Sequence, residues 1–195
     1  MVKKYLLLFL PLVLFLLLTF FLVKGLFSEA RYEVSTQVDR QLPEFSLPDV
    51  MDEDQLYTRQ VFENQVTLIN VWGTWCVTCA IELPFLTSLR EQGVRIVGLY
   101  FEQDLDPDFG GKSLQQIRTD IRQTLNQLGN PYQFNIFDVN RDYSMDLGVT
   151  GAPETFLVDM HGRVLLHHVG DLNERVWQDK FLALYQQAML EQKNG

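Results

Sequence analysis

Residues 5–23 form an almost unbroken apolar run, interrupted only by Pro11 and Thr19. A bilayer core needs about 20 such residues, whereas a cleavable signal core has about 7–15. The pattern therefore predicts a transmembrane helix. Residues 24–40 are mostly polar and mixed in charge, without periodicity, and read as a linker. Residues 41–47 resemble a short edge strand. Residues 66–72 are mainly apolar and β-branched, which predicts a buried central strand. After Gly73-Thr74-Trp75-Cys76 the period changes. Cys79, Leu83, Leu86 and Arg90 fall on one helical face, Pro84 predicts a kink, and Gly93 ends the helix. Residues 94–100 form a second buried strand, and residues 102–111 an acidic loop. Leu114, Ile117, Ile121, Leu125 and Leu128 mark a second helix that stops at Gly129. Residues 134–137 make a third strand. Residues 155–159 and 164–169 flank a His161-Gly162 turn and read as a hairpin. The last helix, over 173–191, carries Trp177, Phe181, Leu184 and Ala188 on its apolar face.

This order predicts an α/β domain: a sandwich with a mixed central sheet and helices on both faces. The expected organisation is a cytoplasmic tail at 1–4, a transmembrane signal anchor at 5–23, a linker at 24–40 and a single domain at 41–195. Cleavage near Ala30 is the competing reading, since Ser28-Glu29-Ala30 loosely matches a small-x-small site. Lys24 closing a long apolar run favours retention of the anchor, with the domain translocated.

Charge and cysteine usage narrow the function. The formal net charge is −9, and no basic stripe is present, so nucleic-acid binding has no electrostatic support. There are two cysteines, Cys76 and Cys79. The three histidines, His161, His167 and His168, lie far downstream without ligand-like spacing, so no metal site is expected. A staple closing so short a loop removes little chain entropy. What remains is a redox pair or an accidental one. Its position at a strand-to-helix junction, behind Trp75, favours the redox reading.

The thiolate is the nucleophile, and a helix amino end favours negative charge. Cys76 sits at that end and is the expected attacking thiol. Cys79, one turn in on the apolar side, is the expected resolving thiol. Glu82 lies three residues after Cys79, where it can take up a proton or remain an ordinary solvated side chain. Glu154, beside Pro153, is equally open. His167 and His168 are adjacent on one strand, point to opposite faces and read as structural. Trp72 is expected in the core, and Trp75 exposed and facing substrate.

The segments Leu68-Ile69-Asn70-Val71-Trp72-Gly73-Thr74-Trp75-Cys76-Val77-Thr78-Cys79 and Asp146-Leu147-Gly148-Val149-Thr150-Gly151-Ala152-Pro153-Glu154-Thr155-Phe156-Leu157-Val158-Asp159 resemble the thioredoxin-like proteins of cytochrome c biogenesis, the CcmG/DsbE family. Leu128-Gly129-Asn130-Pro131-Tyr132 and Gly170-Asp171-Leu172-Asn173 add to the likeness. The resemblance implies a thioredoxin-like fold and a periplasmic domain on an inner-membrane anchor. It implies a redox-active Cys76–Cys79 disulfide, with Cys76 attacking, Cys79 resolving, Glu82 as the active-site acid and Pro153 as a cis-proline. Such a proline presents the backbone of Ala152 to an incoming peptide. It also implies a reductant of apocytochrome c disulfides, or of a protein that handles apocytochrome, recycled by a transmembrane thiol reductant. No cofactor is implied. The chain departs from the family in having Val77-Thr78 where Pro-Thr is usual, at positions that tune redox potential. The loop at 102–111 is also longer than usual; it is open to two readings, a partner contact or a neutral insertion, of which the insertion is favoured. Asn70 stands where thioredoxin-like sheets often hold a buried acid, which leaves proton handling to Glu82 or Glu154. Two other functions stay open: a general disulfide oxidant or isomerase, and a non-catalytic module that binds apocytochrome.

Overall fold

The computed structural model describes residues 11–22, 35–103, 105 and 110–194. The chain divides into two compact units, Met1–Glu33 and Val34–Gly195. In the first, residues 11–22 are helical and exposed (α1). Among the described residues no helix is long and apolar enough to cross a membrane. The rest of the anchor expected at 5–23, and the tail at 1–4, lie outside the described residues.

The second unit is built on a six-stranded mixed sheet in the order β1-β8-β7-β4-β5-β6. Its strands are β1 (Ser35–Gln41), β4 (Thr67–Trp72), β5 (Ile96–Tyr100), β6 (Asn135–Phe137), β7 (Glu154–Val158) and β8 (Arg163–Val169). A separate antiparallel pair is formed by β2 (Ser46–Pro48) and β3 (Leu56–Thr58). β4 runs parallel to β5 and β5 parallel to β6, whereas β7 is antiparallel to both β4 and β8. The helices are α2 (Val77–Glu91), α3 (Leu114–Leu128), α4 (Asp142–Asp146), α5 (Glu174–Val176) and α6 (Leu182–Asn194). A π-turn at Trp177–Phe181 joins the last two.

The central strands are apolar on both sides because both sheet faces are covered. Side chains alternate along a strand. Leu68 and Trp72 of β4, Ile96 and Tyr100 of β5, and Leu157 of β7 enter one core with Cys79, Leu83, Leu86, Ile117, Ile121 and Phe181. Ile69, Val71, Val97, Leu99, Phe156 and Val158 enter the other, with Phe62, Tyr143 and Leu147. Thus α2, α3 and the C-terminal helix cover one face, while α4 and the 3-10 turn Arg59–Phe62 cover the other. Each fully buried Leu or Ile on β4 contributes about 1.5–3 kcal/mol relative to exposure.

Several expectations need correction. Residues 35–40, read as linker, form most of β1, which pairs with β8. Arg90 lies off the buried face of α2 and is replaced there by Leu89; its guanidinium donates instead to the carbonyls of Asn130 and Tyr132. β3, α4 and the π-turn have no counterpart in the sequence pattern.

Candidate functional site

β4 ends at Trp72, and the chain turns at once into α2. The Cys76 amide donates to the Gly73 carbonyl at 3.1 Å, which closes the turn. Cys76 is the N-cap of α2, and its sulfur accepts the Cys79 amide at 3.1 Å. That amide is one of the unpaired donors every helix start leaves, so a thiolate here is met by a hydrogen bond and by the positive end of the helix dipole. Cys76 and Cys79 are joined by a disulfide, with a Cα–Cα distance of 5.2 Å. Cys76 keeps 7% of its surface exposed and Cys79 none, so only the first sulfur can meet an external partner.

Trp75 is half-buried rather than fully exposed. Its indole N–H donates to the Phe101 carbonyl at 2.9 Å, and its ring lies 5.2 Å from that of Phe101. Gly73 allows this placement, because a Cβ there would lie 2.2 Å from the Trp75 indole nitrogen. The neighbouring Thr74 hydroxyl is 3.1 Å from that of Tyr100, which donates to Glu102 at 2.9 Å. The redox turn is therefore tied to the end of β5, where the loop expected at 102–111 begins.

Beneath the disulfide, on the face covered by α2, lies a buried polar layer. Asn70, Gly98 and Thr155 are register partners across β5, β4 and β7. Asn70 donates to Glu82 Oε1 at 2.9 Å and to the Thr155 hydroxyl at 3.2 Å, and accepts from the Tyr132 hydroxyl at 2.6 Å. The other Glu82 oxygen accepts the Leu172 amide at 2.8 Å. Glu82 is not the solvated glutamate a helix position allows: it is 2% exposed and shares the buried face of α2 with Cys79. Burial pushes its pKa up to about 7; the bonds from Leu172 and Asn70 work against that rise. It is thus poised to gain or lose a proton near neutral pH, one helical turn from the resolving thiol. An acid in place of Asn70 would set a second carboxylate against Glu82. The amide instead holds Glu82 in place without opposing its charge. Sequence reading missed Tyr132, Thr155 and Leu172 as members of this layer, because their bonds to it span separations of 62, 85 and 90 residues.

Glu154 lies on the other side of the sheet. It is fully buried, and its strand neighbours at alternate positions, Phe156 and Val158, belong to the second core. One oxygen accepts the Thr150 amide (2.8 Å), the Thr150 hydroxyl (2.6 Å) and the Gly151 amide (2.8 Å). The other meets His167 Nε2 at 2.6 Å. Burial raises its pKa, but hydrogen bonds from His167 and Thr150 and the His167 charge outweigh burial and leave it lowered. Of the two acids weighed for proton handling, only Glu82 shares a face with Cys79. The Ala152–Pro153 peptide is cis. Ala152 packs against both cores, as Trp75 does, and in the first of them it shares the cluster that holds both cysteines. His167 stacks on Phe156, while His168 faces Phe181 across the sheet, its pKa lowered by burial. Among the described residues no group of three or more His, Cys, Asp or Glu side chains is placed to hold a metal ion.

An accessible capped sulfur, a buried sulfur one turn behind it and an acid beside the second are the parts of dithiol–disulfide exchange. Comparison with known proteins agrees. The Redoxin family model matches residues 37–181. The chain is 39% identical to the thiol:disulfide interchange protein DsbE of Vibrio cholerae serotype O1, over 95% of this chain and 97% of that one. It is 35% identical to the DsbE of Escherichia coli K12, over 92% and 93%. A secreted thiol-disulfide isomerase from Corynebacterium glutamicum shares the fold, with a TM-score of 0.61 at 22% identity over 82% of this chain and 96% of that one.

Proposed function

The chain belongs to the Redoxin family and, within it, to the DsbE (CcmG) thiol:disulfide interchange proteins, and it is a thiol–disulfide oxidoreductase; from that premise we propose that it works as a reductant of disulfides in apocytochrome c, or in a protein that handles apocytochrome, during cytochrome c maturation. The Cys76 thiolate attacks one sulfur of the substrate disulfide. A mixed disulfide forms and the other substrate sulfur leaves as a thiolate. Cys79 then gives up its proton, with Glu82 as acceptor, and attacks the Cys76 sulfur. The products are reduced substrate and the Cys76–Cys79 disulfide. Substrate docks as an extended strand beside Ala152, with Trp75 flanking the exchanging sulfurs. The domain acts on the periplasmic side of the inner membrane, held there by the apolar segment at 5–23, and a transmembrane thiol reductant returns it to the dithiol state.

The observation that carries the direction is Glu82. A buried carboxyl one turn from the pair, half-ionised near pH 7, disfavours a second negative charge at the thiols. Cys76 keeps its capped, stabilised thiolate, while the charge is disfavoured on Cys79 beside Glu82; destabilising the Cys79 thiolate favours the disulfide, which makes the dithiol the better reductant. The test is a Cys79→Ala chain in envelopes. It should accumulate mixed disulfides through Cys76, with apocytochrome or its handling protein identified by mass spectrometry. Glutathione equilibration of the full-length protein reports direction independently. A potential near that of the strong oxidants, about −120 mV, would overturn the reductant reading in favour of an oxidant.

A further inference from the structure

Glu154 holds the turn that leads into Pro153, but it does not hold it alone. All three donors of that turn converge on one carboxylate oxygen. The direction of the carboxylate is then set by whatever holds its second oxygen, and that is His167, one strand away on β8. Three features fix the imidazole. Its ring lies 4.1 Å from the Phe156 ring at an interplanar angle of 13°. β8 is registered on β7 with His167 opposite Phe156. The side chain is buried. Glu154 already accepts three hydrogen bonds as a carboxylate, which has no donor of its own. The proton of this contact therefore sits on His167 Nε2.

We propose that His167 is a positioning residue for substrate capture: acting through Glu154, it fixes the Thr150–Gly151–Ala152 turn against which an extended substrate segment aligns beside Cys76. The proposal rests on the docking of substrate beside Ala152 and adds the residue that makes the dock rigid. His167 touches neither sulfur nor substrate. Its loss leaves Oε2 without its donor, lets the carboxylate rotate, and releases the three bonds that shape the turn. The attacking sulfur, capped by α2 on the other side of the sheet, is untouched. A disulfide too small to reach the turn is therefore indifferent to His167, whereas one embedded in a peptide is not.

The experiment uses the full-length chain, pre-reduced, in single turnover against two probes: 5,5′-dithiobis(2-nitrobenzoate), and an oxidised peptide with a Cys-Xaa-Xaa-Cys-His segment flanked by five residues on each side. His167→Phe keeps the stack on Phe156 and removes the donor; His167→Gln restores a donor. With His167→Phe the half-saturating peptide concentration should rise about tenfold, while the limiting rate and the small-disulfide rate stay within about twofold of wild type. His167→Gln should recover most of the loss. The inference is overturned if His167→Phe handles the peptide like wild type, if it slows both probes equally, or if His167→Gln is no better than His167→Phe. If the wild-type chain itself leaves the peptide oxidised while reacting with the small disulfide, the apocytochrome reading fails first and this inference falls with it.

Discussion

Replacing Glu82 by glutamine isolates the most consequential charge in the molecule. The carboxyl is buried under α2, held by Asn70 and by the Leu172 amide. Its pKa is about 7 in the folded protein against the usual 4.5. Between those values the folded state keeps a proton that the unfolded chain has released. The stabilisation from this group is therefore complete below pH 4.5 and is lost as the pH rises through about 7. The gap in pKa corresponds to about 3 kcal/mol of folding free energy. Glutamine has nearly the same shape, can still accept the Leu172 amide and does not titrate. Chemical denaturation of the oxidised protein and of Glu82→Gln, at steps from pH 4.5 to 8, should give curves that diverge. The wild type should lose about 3 kcal/mol relative to the variant across that window. Parallel curves would refute the claim that a titrating, desolvated carboxyl lies beneath the disulfide.

Other perturbations test neighbouring contacts. The same Glu82→Gln change should slow release of a preformed mixed disulfide about 100-fold or more, the usual size of a lost general base, as read by quenched-flow mass spectrometry. Tyr132→Phe removes the hydroxyl that donates to Asn70 and leaves a buried oxygen unsatisfied; denaturant titration should show a loss of about 1–3 kcal/mol. Gly98→Ala would set a Cβ 2.0 Å from Asn135 Oδ1 and 2.8 Å from the Trp72 indole nitrogen. It should break the bond between those two groups and lower the thermal midpoint, at a cost of about 1–3 kcal/mol. Gly73→Ala would collide with the Trp75 ring and free its N–H from Phe101; tryptophan fluorescence should shift to the red as that ring meets water.

The redox turn was legible in the sequence because two strong periodicities meet there. A mainly apolar strand ending at Trp72 and a helical pattern starting at Cys79 leave little freedom for what lies between. Gly93 and Gly129 both have positive φ, which is why they punctuate the helices as read. β1 was not legible. Its sequence, Ser-Thr-Gln-Val-Asp-Arg-Gln, carries no apolar alternation, and backbone pairing with β8 makes it a strand. α4 is too short for a periodic signal. It is fixed from outside by Asp138, which accepts both the amide and the hydroxyl of Ser144. The role of Glu154 was ambiguous in sequence because strand alternation gives a residue's face only once its starting point is known. The partner that settles it, His167, depends on the register between β7 and β8, and a bulge at Leu157/Val158 makes that register unreadable from the chain alone. Asn70 looked like a missing acid and proved to be the amide that holds the acid present, since the Glu82 carboxylate reaches it from another element.

The most direct measurement is the pH dependence of alkylation of the reduced full-length protein by iodoacetamide, with each cysteine quantified by mass spectrometry. The helix start and the Cys79 amide should give Cys76 a midpoint clearly below the free-cysteine value of about 8.5, and rates far above those of the enclosed Cys79. A Cys76 midpoint at or above that value, or equal labelling of the two thiols, would contradict the assignment of attack and resolution on which the rest of the account stands.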